Sequence, residues 1–236
     1  MPITLDDFEQ LAKTRRTTRH FKPDPLPNGI VERLLDCARW APSGYNLQPT
    51  HFTVVDDPAL KQRLVAACMN QKQVAEAPTV VVFSGDRDVA RNNMDVFLKS
   101  DREAGAIDEK YEQLLRKVIP LAFNRGPLGI GYLWKSTLPP LARFAIPVPS
   151  IPAVARDYWL AKQVALSAMN FMLAAAAAGL ATVPMEGFDE SRVRRVLKMP
   201  RSQHVVVVVP VGYAAIGTLK KTRLPLERML HRNAWG

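Results

Sequence analysis

The spacing of apolar residues predicts that the chain begins with two amphipathic helices. Apolar positions recur at helical spacing at residues 8–12 and again at residues 30–38. Thr4 and Asp7 have the spacing of a capping box, which predicts the start of the first helix. Asn28 is the expected cap of the second helix. Each helix therefore has a predicted start and one apolar face to bury.

Three short runs rich in β-branched residues predict strands at residues 51–56, 79–84 and 205–213. The third run has no polar residue before its end, which is typical of a central strand. Further helices are predicted at residues 58–67, 89–117, 156–180 and 190–198, and Asp57-Pro58 is the expected start of the first of these. This order, without an internal repeat, predicts an α+β domain with three or four strands among about six helices.

One uncharged stretch, from Gln163 to Met185, is long enough to span a bilayer. It is rich in alanine, contains the polar residues Ser167 and Asn170, and has no flanking aromatic belts. We therefore interpret it as a buried helix of a soluble protein, with no membrane partner. Because so short a chain cannot cover an apolar helix on every side, we expect a second subunit to cover part of it.

The segment at about 124–152 is rich in proline and glycine, and no compact regular element is expected there. Long loops of this kind are usually functional or mobile. We expect this segment to cover a substrate. The chain from about residue 214 onward is expected to form an extended tail.

Length and charge narrow the class of protein. The chain has 236 residues, which fits a single domain over 1–236. Its net charge is +10, and residues 190–236 hold ten Lys/Arg residues against two acidic ones. Such an excess suits a phosphate-bearing partner such as a nucleotide or flavin. A nucleic-acid arm is not expected, because no helix-turn-helix or RNP pattern is present.

The chain carries no motif for nucleophilic or metal-based chemistry. Its two cysteines, Cys37 and Cys68, are too few for a disulfide framework, and both are expected to be buried thiols. No Cys/His cluster predicts a metal site, and no G-x-S-x-G or H-E-x-x-H motif occurs. G-x-G-x-x-G after a strand and the P-loop are absent too. The start of the chain lacks a signal peptide, so a cytoplasmic protein is expected.

Three separated segments instead favour an anionic, planar cofactor that carries its own reactivity. They are the arginine-rich residues 15–19, the turn-rich residues 42–49 and the basic residues 220–225. Guanidinium groups bind phosphate in bidentate fashion, and hydroxyl and amide groups suit the edge of a heteroaromatic ring. Each segment alone also fits a simpler interpretation: a solvated helix end, an ordinary loop or a solvated tail.

Taken together and in this order, the segments resemble the FMN-dependent nitroreductase family. The resemblance is strongest to enterobacterial oxygen-insensitive NAD(P)H nitroreductases and dihydropteridine reductase relatives, and runs from about residue 5 to residue 228. The similar motifs lie at residues 14–21, 41–55, 70–73, 183–189, 206–212 and 221–225. The resemblance implies a central mixed sheet flanked by helices, in an intertwined homodimer with its FMN sites at the subunit interface.

The resemblance also implies which residues bind FMN. They are Arg15, Arg16, Thr17, Arg19, Pro42, Ser43, Asn46, Asn70, Gln73, Pro184, Glu186, Gly187, Lys221 and Arg223. Arg15, Lys221 and Arg223 would hold the phosphate, and Arg19 would lie near the N1–O2 edge of the ring. Asn70 would hydrogen-bond the pyrimidine edge.

Other parts of the site are implied to come from the second subunit or from the backbone. Pro42, Ser43 and Asn46 would reach the flavin of the partner subunit. The backbone of Glu186 and Gly187 would lie near the reactive N5, and no catalytic side chain is implied. The chain departs from the family pattern at residue 73, where glutamine replaces lysine, and at residue 16, where arginine replaces a common histidine.

The activity implied is that of an NAD(P)H-dependent oxidoreductase acting on a small aromatic substrate. NADH or NADPH would pass hydride to FMN, and a nitroaromatic or quinone-type acceptor would then take it in a ping-pong scheme. The same fold and cofactor would also suit reductive dehalogenation, enone reduction or flavin fragmentation.

Overall fold

A four-stranded sheet in the order β1-β2-β4-β3 forms the centre of the computed structural model, which describes residues 3–149, 151–215 and 220–235. The strands are β1 (Thr50–Val55), β2 (Thr79–Asp86), β3 (Ala181–Thr182) and β4 (Gln203–Gly212). Every residue of β2 is buried, because β2 lies between two strands and both faces of the sheet are covered.

Within these ranges nine α-helices surround the sheet. They are α1 (Leu5–Thr14), α2 (Ile30–Arg39), α3 (Pro58–Ala67), α4 (Lys72–Glu76), α5 (Val89–Glu103), α6 (Glu109–Phe123), α7 (Ile130–Ala142), α8 (Arg156–Ala177) and α9 (Glu190–Val196). The expected α+β class, with a central sheet flanked by helices, is confirmed.

The two faces of the sheet bury different helices, as the alternation of side chains along a strand requires. Val80 and Val82 of β2 pack in one cluster with side chains of α3, α4 and α9. Val81 and Phe83 point the other way and pack with α2 and α8. The apolar run of β2 therefore serves two cores at once.

All three strand pairings are antiparallel. Among the described residues, the parallel character expected of a mixed sheet is limited to one isolated bridge, between Thr17 and Thr182. The pairing stays this short because the segment after α1 crosses the sheet edge at β3, a strand of two residues.

Two of three predicted helix starts are confirmed. The N–H of Asp7 donates to Thr4 Oγ1 (3.2 Å), and the N–H of Thr4 donates to Asp7 Oδ2 (3.0 Å). Asp57 caps α3 as expected. Asn28, in contrast, is not the cap of α2, which follows Gly29 in a left-handed conformation (φ 75°). Glycine adopts that conformation at little cost.

The expectation that residues 124–152 hold no regular element is wrong, because α7 occupies 130–142. Its two prolines, Pro139 and Pro140, lie in the last turn; each lacks an N–H and removes one intrahelical hydrogen bond, and the helix ends two residues later at Ala142. Lys135 is buried, and its ammonium donates to the carbonyls of Leu121 and Asn124 at the end of α6. This contact fixes α7 against α6.

Helix α8 is long and apolar enough to cross a membrane by length and composition alone. In the structure Val164, Ala168 and Phe171 pack against β2 and β4. Leu166 and Met169, however, are 47% and 40% exposed. The helix is therefore buried on its sheet side and open on the other side within one chain.

The two cysteines differ. Cys68, at the end of α3, is fully buried as expected, and burial raises the pKa of its thiol to about 11. The prediction for Cys37 is wrong, because this residue is exposed. It lies on the outer face of α2, whose inner face is formed by Val31, Leu34 and Ala38.

Candidate functional site

The arginine-rich segment after α1 lies along the edge of the sheet. The N–H of Thr18 donates to the Thr182 carbonyl (3.1 Å), and the N–H of Lys22 donates to the Tyr213 carbonyl (2.9 Å). Phe21, between them, is buried. These contacts hold Arg15, Arg16, Thr17 and Arg19 in a fixed backbone path beside the ends of β3 and β4.

Lys221 joins the tail to the first helix. Its ammonium donates to the carbonyl oxygens of Ala12 (3.0 Å), Lys13 (3.2 Å) and Arg15 (3.1 Å). The last carbonyls of a helix lack partners within the helix, and a cation there also interacts favourably with the helix dipole. Lys221 therefore caps α1 and brings residues 220–225 next to Arg15.

This arrangement brings four positive side chains together without a counterion among the described residues. The four residues, which we call the cation cluster, are Arg15, Arg16, Lys221 and Arg223. Desolvation lowers the pKa of Lys221, and the nearby charges of Arg15, Arg223 and Arg16 lower it further. Burial, followed by the charge of Arg223, lowers the pKa of Arg15. Among the described residues, no carboxylate lies within 4.0 Å of these four cations.

One atom shows what the cluster could hold. Nη1 of Arg15 is buried and has no hydrogen-bond partner among the described residues. A buried donor without an acceptor is costly, and a guanidinium beside three more cations attracts an anion. A phosphate group fits both the orphaned donor and the uncompensated charge.

A second part of the site joins the motif at residues 70–73, which we call the Asn70 element, to residues 184–187. Nε2 of Gln73 donates to Oε1 of Gln71 (2.8 Å), and Nε2 of Gln71 donates to the Gly187 carbonyl (2.6 Å). Asn70 is exposed and left-handed (φ 55°), which asparagine tolerates better than most residues. Gln71 is not among the residues that the resemblance implies, although it lies within the motif.

The segment at 183–187 presents backbone donors. Met185 exchanges two hydrogen bonds with Val208 (2.8 and 3.0 Å) and is buried, whereas Pro184 and Glu186 point outward. The N–H groups of Glu186 and Gly187 have no acceptor among the described residues. They could donate to an acceptor atom of a bound ring.

Helix α4, which begins within the motif at residues 70–73, also contacts the arginine-rich segment. Oε2 of Glu76, at the end of α4, accepts the N–H of Phe21 (3.2 Å) and lies 3.3 Å from Nδ1 of His20. Oγ1 of Thr18 is buried and unpartnered within the described part of the chain. The cation cluster, the Asn70 element and residues 184–187 therefore form one continuous region.

Pro42, Ser43 and Asn46 lie elsewhere. The N–H of Gly44 donates to Oε1 of Gln163 (2.8 Å), in the first half of α8. β3 and the arginine segment instead lie just beyond the end of α8. The 14 residues from 163 to 177 correspond to about 21 Å of helix at 1.5 Å per residue. One chain therefore does not bring this loop to the cation cluster.

Contacts within its own subunit fix the shape of this loop. Oγ of Ser43 accepts the N–H of Gln48 (2.9 Å), and Nδ2 of Asn46 lies 3.2 Å from both carboxylate oxygens of Asp101. Tyr45 and Asn46 both have positive φ (57° and 53°). The loop is thus held in a strained conformation, as is common at functional sites.

Comparisons with known proteins agree with these features. Residues 12–213 match the model of the nitroreductase family. The chain is 32% identical over 224 residues to an NADH dehydrogenase of Thermus thermophilus, covering 95% of each protein. It is 28% identical over 235 residues to the oxygen-insensitive NAD(P)H nitroreductase of Salmonella typhimurium, covering 95% of this chain and 98% of that protein.

A solved structure from Exiguobacterium sibiricum, in complex with FMN, has the same fold. Its TM-score is 0.72 at 22% identity, covering 96% of this chain and 97% of that one. The family match extends over most of the chain. It includes Arg15 and Arg16 of the cation cluster, whereas most of α1 and the tail with Lys221 and Arg223 lie outside it. The chain therefore belongs to the nitroreductase family.

Proposed function

We propose that the protein is an FMN-dependent oxidoreductase that uses NADH or NADPH to reduce nitroaromatic or quinone-type acceptors. The observation that carries this proposal is the buried, unpartnered Nη1 of Arg15 inside a cluster of four cations. The names of the relatives, an NADH dehydrogenase and an NAD(P)H nitroreductase, supply the reductant. The FMN of the Exiguobacterium structure supplies the cofactor.

We assign the phosphate of FMN to Arg15 and Arg223, with Arg16 and Thr17 at the ribityl end. Lys221 adds positive charge there while its three donors hold the end of α1. A guanidinium suits this role because its fork matches two phosphate oxygens.

The ring of FMN would lie along the region formed by the Asn70 element and residues 184–187. Asn70 and Gln73 would line the pyrimidine edge, and Arg19 would add a permanent cation. The free N–H groups of Glu186 and Gly187 would donate to the ring. Negative charge on the reduced ring would be stabilised by these fixed donors and cations.

The site needs a second subunit. Pro42, Ser43 and Asn46 are far from the cation cluster of their own chain, so we assign them to the flavin of the partner in a homodimer. The exposed face of α8, with Leu166 and Met169, offers an apolar surface for the contact. We place this dimer in the cytoplasm.

In this proposal the protein supplies no nucleophile. FMN, when bound, supplies the reversible two-electron chemistry that lets NAD(P)H and the acceptor react in separate half-reactions, a ping-pong scheme. The chain orients both reactants, excludes water and supplies positive charge near the ring. Residues 124–152 would cover the acceptor.

Steady-state kinetics of the purified, FMN-loaded protein test this function. NADH and NADPH would each be varied against a nitroaromatic and a quinone, with a parallel series of lines expected in double-reciprocal plots. A halophenol and an enone serve as alternative acceptors. Faster turnover of either alternative would assign a different reaction to the same site, and protein that takes up no FMN would overturn the proposal.

A further inference from the structure

A cavity of about 460 Å³ lies between the start of α5, the end of α6 and the first turn of α8. None of the residues assigned to FMN lines it. Four arginines do: Arg87, Arg91, Arg125 and Arg156. Asp88 is the one acidic residue of its wall within the described part of the chain. The cavity is therefore strongly positive and separate from the cation cluster.

Two of the arginines already have carboxylate partners. Arg87 makes a bidentate pair with Asp157, at 2.8 Å through Nε and 2.9 Å through Nη2. Nη2 of Arg91 lies 3.1 Å from Asp88 Oδ2. These two side chains hold the wall together and do not require a ligand.

Arg156 is the least satisfied of the four. Its Nε is buried and has no hydrogen-bond partner among the described residues, and its side chain is 19% exposed. Nη1 donates to the Arg87 carbonyl (3.0 Å) and lies 3.7 Å from Asp88 Oδ1. Burial lowers its pKa, and the charge of Arg125 lowers it further. Arg156 therefore faces a like charge with only a distant counterion.

Arg125 has no carboxylate within 4.0 Å among the described residues. Its Nε donates to the Ala153 carbonyl (2.8 Å), and its guanidinium carbon lies 5.1 Å from the centre of the Tyr132 ring. These contacts fix the direction of the guanidinium without neutralising it. Of this pair of cations, Arg125 therefore has no carboxylate partner, and Arg156 has only the contact with Asp88 at 3.7 Å.

Apart from Asn124, the remaining wall is apolar. Met94, Pro120 and Phe123 line it. Phe123 is held in edge-to-face contacts with Trp159 (4.9 Å between ring centres) and Tyr45 (6.1 Å). A cavity with a few polar groups and an apolar, rigid floor is typical of small-molecule sites, which enclose about 300–1,000 Å³.

We propose that this cavity binds a small organic anion, with its acid group between Arg125 and Arg156 and its apolar body on Met94 and Phe123. Within 4.0 Å the four arginines have three carboxylate partners, Asp88, Asp157 and Glu190, so one positive charge remains, and a carboxylate or a phosphate monoester both fit. The inference does not depend on the reaction proposed above. It assigns a second ligand site to the chain, next to the loop that carries Tyr45.

Calorimetric titration of the full-length, FMN-saturated protein tests this site, because saturation fills the other cation cluster. The probes are 3-phenylpropionate, phenyl phosphate and the neutral 3-phenylpropanamide. We expect one or both anions to bind at least about tenfold more tightly than the amide. The stronger of the two anions identifies the acid group.

Variants locate the binding. Arg125→Gln and Arg156→Gln should each weaken the anion at least about tenfold and leave the amide unchanged. Arg33→Gln, which replaces an exposed arginine of α2 outside the cavity, should change neither. Arg156 is packed at the start of α8, so Arg125→Gln decides the matter if Arg156→Gln does not fold.

Three results would overturn the proposal. One is equal affinity for the anions and the amide, and another is no binding of either anion at millimolar concentration. The third is anion affinity that is unchanged in folded Arg125→Gln but lost in Arg15→Ala, which would place the anion at the cofactor cluster.

Discussion

At the scale of single residues, Arg15 and Arg223 carry the sharpest prediction. Replacing either by alanine should weaken FMN binding about 10- to 150-fold, since a charge-assisted contact is worth about 1.5–3 kcal/mol. Turnover of the flavin-loaded variants should change much less, because the phosphate end lies far from the reacting ring. Quenching of FMN fluorescence on titration with protein measures the affinity.

Arg143→Ala is the control for this experiment, because it removes an exposed arginine elsewhere on the chain. The same FMN affinity in Arg15→Ala, Arg223→Ala and the control would show that the phosphate lies outside the cation cluster.

Replacing Gln73 by a charged residue should shift the redox potential of bound FMN. Its amide is linked to Gly187 through Gln71, so residue 73 lies within the region to which we assign the flavin ring. At an effective dielectric near 20, a charge at about 4 Å is worth up to ~4 kcal/mol before desolvation and screening. We expect Gln73→Lys to stabilise reduced FMN by ~1 kcal/mol, which raises the two-electron potential of bound FMN by about 20 mV.

A spectroscopic redox titration of wild type, Gln73→Lys and Gln73→Glu at one pH and salt concentration makes this measurement. The glutamate variant should shift the potential downward. A potential that stays constant or falls in Gln73→Lys would show that residue 73 does not face the pyrimidine edge.

Cys68 makes folding sensitive to alkaline pH. Its thiol pKa rises from 9.0 to about 11 on burial. Between these values the unfolded chain loses the proton while the folded chain keeps it, so the free energy of unfolding should decrease as pH rises from about 9 to 11. Below this window the thiol is neutral in both states and has no effect.

Urea unfolding at several alkaline pH values checks this, with Cys68→Ala as the comparison. The variant should be less stable overall because of the cavity it creates, but should lose less stability with pH. Parallel pH profiles for the two proteins would rule out Cys68 as the source.

At the scale of elements, Lys135 explains why α7 exists in a proline-rich segment. Its ammonium donates to two carbonyl oxygens at the end of α6, those of Leu121 and Asn124. Lys135→Ala should therefore increase amide hydrogen exchange in α7 and the last turn of α6. Exchange in the central sheet should stay unchanged, and Lys110→Ala, an exposed lysine of α6, is the control. Equal exchange in wild type and Lys135→Ala would show that other contacts hold α7.

The elements that could be predicted from sequence are those whose signals are local. Thr4, Asp7 and Asp57 are caps, and the caps alone fix where α1 and α3 begin. β3 and α7 escaped prediction because they depend on distant partners. β3 has two residues and exists only through pairing with β4, and α7 depends on Lys135 reaching another helix.

The residues of the candidate site likewise fall into two groups: those that local sequence motifs identify and those that depend on contacts between distant parts of the chain. Arg15, Gly187 and Lys221 could be identified from the motifs, because the residue types of these motifs can be recognised from the sequence alone. The sequence did not reveal that Lys221 caps α1, nor that Gln71 links two motifs, because both are contacts across more than 100 residues. The arginine cavity was missed for the same reason: Arg87, Arg125 and Arg156 are well separated in sequence.

At the scale of the whole molecule, the open face of α8 predicts association. Light scattering should give twice the 26.3 kDa of one chain. Leu166→Glu should shift the protein toward the monomer, because a buried charge at an apolar interface is costly. The same variant should also lose affinity for FMN, since each site needs the partner's loop. A wild-type monomer in dilute buffer would contradict the proposed assembly.

The contact between Lys221 and α1 also has a consequence for biosynthesis. Its hydrogen bonds join residues 206 to 209 positions apart in a chain of 236. The ribosome must therefore make the chain through residue 221 before this contact can form, whereas β1 and β2, which are complete by residue 86, can pair earlier. Nascent chains should thus emerge without cofactor, and flavin loading should be a late, post-translational event.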